Sequence, residues 1–343
     1  MDIEQLWRPA FRITASSQIA TFGSCFAQHF SRALVRRDFT WFNGEPAPRG
    51  MSEEDAKRFN YGVFSARTGN IYTTSLLLQW TRWALGKTPV PDEVWEVNGR
   101  FFDPFRPQIE PDGFASRDEV IASRALCIEA FARTVTQADT FVFTLGLTES
   151  WWNSERGYEY PLCPGAVAES ISSSSHVFLN QEYPDILKHL QQAMALMRSV
   201  NRGLRFLLTV SPVPLTATNS GHHVLVATVD SKSRLRAVAG QLARTVSRVD
   251  YFPSYEIISA PPFRGTFFEP NQRSVNPSGV NFVMKSFFEG LGLPDTAASP
   301  AANLAASPGA STVEGKKPRA KSAQDLICEE EMLAAFGPGG ATG

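Results

Sequence analysis

Cysteine and histidine are scarce in this chain. Its four cysteines, Cys25, Cys127, Cys163 and Cys328, lie far apart and form no C-x-x-C pair, which excludes a zinc knuckle and a disulfide framework. The five histidines include one adjacent pair, His222 and His223, but no pair at the i, i+4 spacing of a helical metal site, so no metal is expected. Nowhere do about 18 apolar residues follow one another without a charge, and no membrane span is expected. Lysine and arginine (33) nearly balance aspartate and glutamate (34) and form no basic stripe, which argues against nucleic acid as a partner. Residues 1–12 carry early acids and no apolar stretch of signal length, so a cytoplasmic location is expected.

What the chain has is enough apolar residues, 43%, to bury a core. Gln18 to Phe22 is a short apolar stretch running into Gly23, after which Phe26, Phe30, Leu34 and Val35 recur at helical spacing. The order is strand, tight turn, helix. Helices are expected over Gly69 to Leu85 and Arg117 to Val135, followed by the β-prone run Thr140 to Leu145, which ends at Gly146. A helix over Tyr183 to Val200, a strand over Arg205 to Val210 and a helix over Ser231 to Val249 repeat the pattern. Tyr251-Phe252 opens a further strand, and a last helix spans Pro277 to Gly290, with proline in its first turn, where a missing N–H costs nothing.

Strands alternating with helices, two of them uninterrupted apolar runs, imply a mainly parallel, doubly wound α/β sheet. The stretches from Val90 to Gly113 and from Trp151 to Asn180 read as long loops. One α/β domain is expected over residues 10–293. Residues 294–323, rich in Ala, Ser, Pro, Gly and Lys, read as a disordered linker. Residues 324–337, with Leu326, Ile327, Met332, Leu333 and Phe336 apolar, read as a short amphipathic helix that docks a protein partner or this domain, or else as a frayed tail.

Ligands of open parallel sheets bind beyond the carboxyl ends of the strands. Three turns share that edge: Gly23-Ser24-Cys25, Gly146-Leu147-Thr148-Glu149 and Ser211-Pro212-Val213-Pro214. Cys25 stands at a helix start, where the dipole and free N–H groups favour an anion. The same residues also suit a small buried thiol and an N-capping serine. Glu149 is a carboxylate at a strand end beside Trp151 and Trp152, placed to orient a histidine or to bind a hydroxyl. The tryptophans suit sugar stacking or a core. Arg67 and Arg106, in Gly- or Pro-rich contexts, suit an anionic substrate group or a structural ion pair.

Gly23-Ser24-Cys25-Phe26-Ala27 resembles the signature of the GSCFA-domain proteins, a branch of the SGNH/GDSL hydrolase superfamily. Phe64-Ser65-Ala66-Arg67, Gly69-Asn70-Ile71-Tyr72-Thr73, Asp103-Pro104-Phe105-Arg106-Pro107 and Phe143 to Glu149 extend the similarity, as do Thr209 to Pro214, Ser231-Lys232-Ser233 and Tyr251 to Glu256. The resemblance implies a three-layer α/β/α sandwich and ester hydrolysis or acyl transfer on a small-molecule or glycan substrate. No cofactor is required for that chemistry, and acetyl-CoA is the acyl donor if transfer is the reaction.

By the same resemblance Cys25 occupies the nucleophile position and is the first candidate nucleophile, and Ser24, which stands where the superfamily has its Asp, is the second. Gly23, Gly69, Asn70 and Gly146 belong to the oxyanion blocks, and Thr148 replaces the amide of the superfamily's Gly-x-Asn-Asp. Asn276 stands where the superfamily has its catalytic histidine, and an amide accepts no proton near neutral pH. The base is then His223, preferred slightly for its place near the strand ends, or His29, four residues after Cys25 on one helix face, unless a Cys25 thiolate needs none. The other function class open to this chain is a catalytically degenerate fold that binds partners through its C-terminal segment.

Overall fold

The computed structural model describes residues 5–293. The expected linker and C-terminal helix lie outside the described residues. The chain runs through β1 (Ile19–Gly23), α1 (Ala27–Arg36), α2 (Glu53–Arg58), α3 (Thr74–Ala84), the short strands β2 (Trp95–Val97) and β3 (Arg100–Phe102), α4 (Arg117–Gln137) and β4 (Thr140–Leu145). It continues through β5 (Glu149–Asn153), β6 (Tyr158–Tyr160), α5 (Pro164–Val167), β7 (His176–Asn180), α6 (Tyr183–Val200), β8 (Arg205–Val210), α7 (Val224–Thr245), β9 (Val249–Tyr251), α8 (Ser254–Ser259) and α9 (Pro277–Gly290).

The central sheet has the order β1-β4-β8-β9, and all of its pairings are parallel. Its two faces are written in the alternation of its strands. Phe141, Phe143, Leu145, Phe206 and Leu208 pack into one core with residues of α3, α4, α6 and α7. Val142 and Leu207 turn the other way, into a second core with Phe26 at the cap that precedes α1, Phe30 and Leu34 of α1, Ile257 of α8 and Phe287 of α9. Successive side chains of a strand point to opposite faces, so one sheet carries two helical layers. The molecule is an α/β/α sandwich with a mainly parallel sheet.

The free edge of β1 is closed by irregular chain. Thr40 and Phe42 bond to Ile19, Ser65 N–H donates to Thr21 O, and Ile71 N–H donates to Gly23 O at 2.9 Å. The 65–71 segment therefore ends against the Gly23 turn.

Four expectations change. The 151–180 stretch is no loop: β6-β5-β7 form an antiparallel sheet there, and β2-β3 form a hairpin within 90–113. These strands are short and mix polar with aromatic residues, so no apolar run announces them. Helix α7 begins seven residues earlier than expected, because His223 caps it by accepting the Leu225 N–H on Nδ1 at 3.2 Å. Helix α3 begins later, at the Thr73 cap; Gly69 stays in the preceding loop with φ +68°.

Gly23 has φ +129°, and a Cβ there would fall 2.6 Å from Thr144 N. Replacing Gly23 by alanine therefore forces β1 from β4 and is expected to cost about 3 kcal/mol or more in chemical denaturation; wild-type stability of the variant would refute this packing.

Candidate active site

Three chain segments meet at the carboxyl end of β1 and β4. The first is the Gly23-Ser24-Cys25 turn, fixed by Ser24 N–H donating to Thr144 O at 3.0 Å. The second is the 69–72 loop, already tied to Gly23. The third is the Gly146 turn, whose Gly146 and Leu147 N–H groups both donate to Tyr72 O, at 2.9 and 3.1 Å. A side chain on Gly146 would start 3.0 Å from Ser24 Cβ and 2.9 Å from the Tyr72 ring. The glycine thus exists so that the three segments can touch.

Ser24 and Cys25 are each 2% exposed, and Asn70 is equally buried. The Ser24 hydroxyl has no hydrogen-bond partner among the described residues. Below it, Ser24 O and Cys25 O accept the N–H groups of Ala27 and Gln28. The Cys25 and Phe26 N–H groups, which open α1, make no bond to a protein acceptor among the described residues, as is usual for the first donors of a helix.

The other expected site residues are placed as follows. His29 lies on α1, and burial, aided by Arg32 and Arg36, pushes its pKa down to about 3. Its Nε2 is buried and bonded neither to Cys25 nor to Ser24. His223 is exposed, and its Nδ1 is taken by the α7 cap. It lies eight residues before Ser231, or about 12 Å along the helix axis, and Ser231 and its neighbour Lys232 are residues of α7 that reach the Gly146 turn. Asn276 caps α9: its Oδ1 accepts the Gly279 N–H at 2.9 Å, and its amide donates to Thr266 O and Phe268 O.

Thr148 spends its donors within the fold, N–H to Ser231 Oγ and Oγ1 to Asn180 Oδ1 at 2.7 Å. Glu149 accepts from Thr218 Oγ1 at 2.5 Å and from Asn219 N–H, and burial raises its pKa. Arg67 donates to Phe59 O, Tyr61 OH, Ile109 O and Glu110, and pairs with Glu45. Its guanidinium is committed to loops of this chain, on the edge of an open groove of about 670 Å³ that Arg100 and Leu126 also line. Arg106 and Arg124 converge on the buried carboxylate of Asp103, at 2.8 and 2.9 Å. The structure thus gathers Gly23, Ser24, Cys25, Asn70 and Gly146, leaves His223, Asn276 and Arg67 bound elsewhere, and buries His29 Nε2 without a partner among the described residues.

Buried ionisable groups that escaped the sequence reading include Arg124, Lys232 and Glu159. Lys232, 1% exposed on α7, donates from Nζ to Gly146 O at 2.7 Å. Its only signal was its place in Ser231-Lys232-Ser233. Glu159 on β6 is 1% exposed, and burial pushes its pKa up to about 7 against the hydroxyls of Ser75 and Thr73, which lower it. No local pattern marks it, because its burial comes from α3 packing across a strand that was read as loop. Among the described residues no three His, Cys, Asp or Glu side chains cluster as a metal site, and no helix is long and apolar enough to cross a membrane.

A family model described as the GSCFA family matches residues 18–287. No curated protein and no solved structure matches the chain.

Two outcomes follow. Asp103→Ala leaves two buried guanidinium groups without their anion and is expected to cost about 3 to 5 kcal/mol; an unchanged denaturation midpoint would contradict the pairing. For Glu159 the native pKa lies above the ordinary 4.5. Between those values the native state keeps a proton that the unfolded state has lost, so stability falls as pH rises from about 4.5 to about 7, by about 3 kcal/mol in all. Glu159→Gln, neutral at every pH, is expected to gain that much on wild type between about pH 4.5 and pH 8 in denaturant titrations, whereas parallel curves would show an ordinary carboxyl.

Proposed function

The chain belongs to the GSCFA family, and on that premise we propose that it is an SGNH-like esterase or O-acyltransferase whose reacting group stands in the Gly23-Ser24-Cys25 turn. The observation that carries this reading is the convergence of that turn with the Asn70 loop and the Gly146 turn at one sheet edge. Those are the segments from which an acyl-transfer site of this type draws its nucleophile and its oxyanion donors.

Cys25 is the preferred nucleophile. Asn276 is bound as a cap, and His29 is held neutral and bonded to neither Ser24 nor Cys25, so Ser24 lacks an imidazole, whereas a thiolate attacks without one. In the proposed step the Cys25 sulfur bonds to the acyl carbon, and the carbonyl oxygen takes up charge facing the Cys25 and Phe26 N–H groups. The bond to the alcohol or thiol leaving group then breaks, and that group departs with the proton the thiol gave up. Water or a sugar hydroxyl next attacks the thioester and restores the thiol. Acetyl-CoA fits as donor where the acceptor is a glycan.

A second reading, a fold that binds without catalysing, is favoured by the burial of both Ser24 and Cys25 and by the absence of an imidazole bonded to either among the described residues. Turnover of aryl acyl esters, and acetyl transfer from acetyl-CoA to sugar acceptors, separates the two. The expected result is activity in the wild type that falls about a hundredfold or more in Cys25→Ala and less in Ser24→Ala. Equal turnover in all three proteins would remove the turn from the chemistry, and none in the wild type would favour the binding fold.

A further inference from the structure

The Ser24-Cys25 turn is covered, and the cover is held from behind by a buried carboxyl. Gly146 lies against Ser24, and Tyr72 packs on Gly146 beside it. Thr73, the next residue, caps α3 by accepting the Leu76 N–H on Oγ1 at 3.1 Å, and the same oxygen donates to Glu159 Oε1 at 2.5 Å. Ser75 stands 3.1 Å from Thr73 Oγ1 and accepts from Gln181 Nε2 at 2.6 Å. Gln181 in turn donates its backbone N–H to Thr148 O at 2.8 Å. From one carboxyl, therefore, two routes reach the Gly146 turn: through Thr73 and Tyr72 on one side, and through Ser75, Gln181 and Thr148 on the other.

Glu159 is fixed for this role by its backbone. Gln79 of α3 clasps it, accepting its N–H at 2.8 Å and donating to its carbonyl at 2.9 Å. Its second carboxyl oxygen, Oε2, is buried without a partner among the described residues, and no cation pairs with it among them. The charged and titratable groups around it are engaged elsewhere. Arg82 of α3 reaches Gln192, His189 of α6 lies 3.4 Å from Gln181 Oε1 with protonation disfavoured by burial, and His176 of β7 lies 3.4 Å from Tyr160 OH. Glu93 takes the hydroxyls of Tyr158 and Tyr160, and Glu149 of β5 is held by Thr218.

We propose that Glu159 is a proton-operated positioning residue: neutral, it holds the first turn of α3 against the Gly146 turn and keeps Ser24 and Cys25 covered, and loss of its proton releases that cover. An ionised carboxylate with a bare oxygen and no cation demands water. The nearest way to admit it is to part Thr73 and Ser75 from β6, which frees Tyr72. Burial sets the change near neutral pH. The meaning of the latch for catalysis rests on the function proposed above, but its mechanics do not.

The test is the rate at which iodoacetamide alkylates Cys25, mapped by peptide mass spectrometry, in wild type and Glu159→Gln. Dividing the two rates cancels the titration of the thiol itself. The ratio is expected to be about 1 below pH 6 and about 10 or more above pH 8, with a midpoint near 7. A ratio independent of pH would overturn the latch. Should Glu159→Gln fail to fold, hydrogen exchange in wild type decides. After correction for intrinsic rates, protection of the Tyr72–Leu76 amides is expected to fall through the same midpoint, and unchanged protection overturns the proposal. Neither measurement needs a substrate, so a lack of ester turnover defeats the proposed function while the latch is judged on its own result.

Discussion

The carboxyl ends of β1 and β4 approach so closely that only glycine fits at position 23, and that approach organises everything above it. It presses the Ser24 side chain against Gly146, a second position where no side chain fits without a shift. Two glycines, Gly23 against Thr144 and Gly146 against Ser24 and Tyr72, allow two turns to share one small volume, and the 69–72 loop completes the enclosure through Ile71 and Tyr72. The site is therefore a consequence of backbone packing before it is a matter of catalytic side chains.

Charge is used sparingly around this enclosure and mostly for support. Asp103 gathers Arg106 and Arg124, and Arg67 ties together the chain at Phe59 and at Ile109. Buried charge is tolerated when its lone pairs and donors are met, and here the Pro91 and Glu93 carbonyls accept from Arg124 beside Asp103. Lys232 is employed in the same way on the Gly146 carbonyl. Glu159 is the exception, since one of its oxygens is left bare in the interior. A group that is costly in its charged form and cheap in its neutral form is one through which solution pH reaches a buried site.

Legibility from sequence followed local strength. Thr140 to Leu145 and Arg205 to Val210 were readable to the residue because both are continuous β-prone runs, and the α9 start was announced by Pro277. The opening turn was readable because Gly23 interrupts a strand-to-helix pattern. The β5-β6-β7 sheet was hidden, since Trp151, Trp152, Tyr158 and Glu159 alternate without an apolar run, and their pairing is decided by packing on α3. The first turns of α7 were hidden because Leu225, Val226 and Val229 face solvent, which breaks the amphipathic pattern. The engagement of Arg67 and Asn276 with distant carbonyls is tertiary, and no spacing rule carries it.

The acyl chemistry assigned to the Gly23-Ser24-Cys25 turn is tested most directly by trapping the covalent intermediate. Wild-type protein is mixed with an activated acetyl ester, quenched in acid and digested, and its peptides are mapped by mass spectrometry. The account predicts one added acetyl group on the peptide that contains Ser24 and Cys25, carried by the cysteine. An acetyl group found only on other residues, or on none, would contradict it.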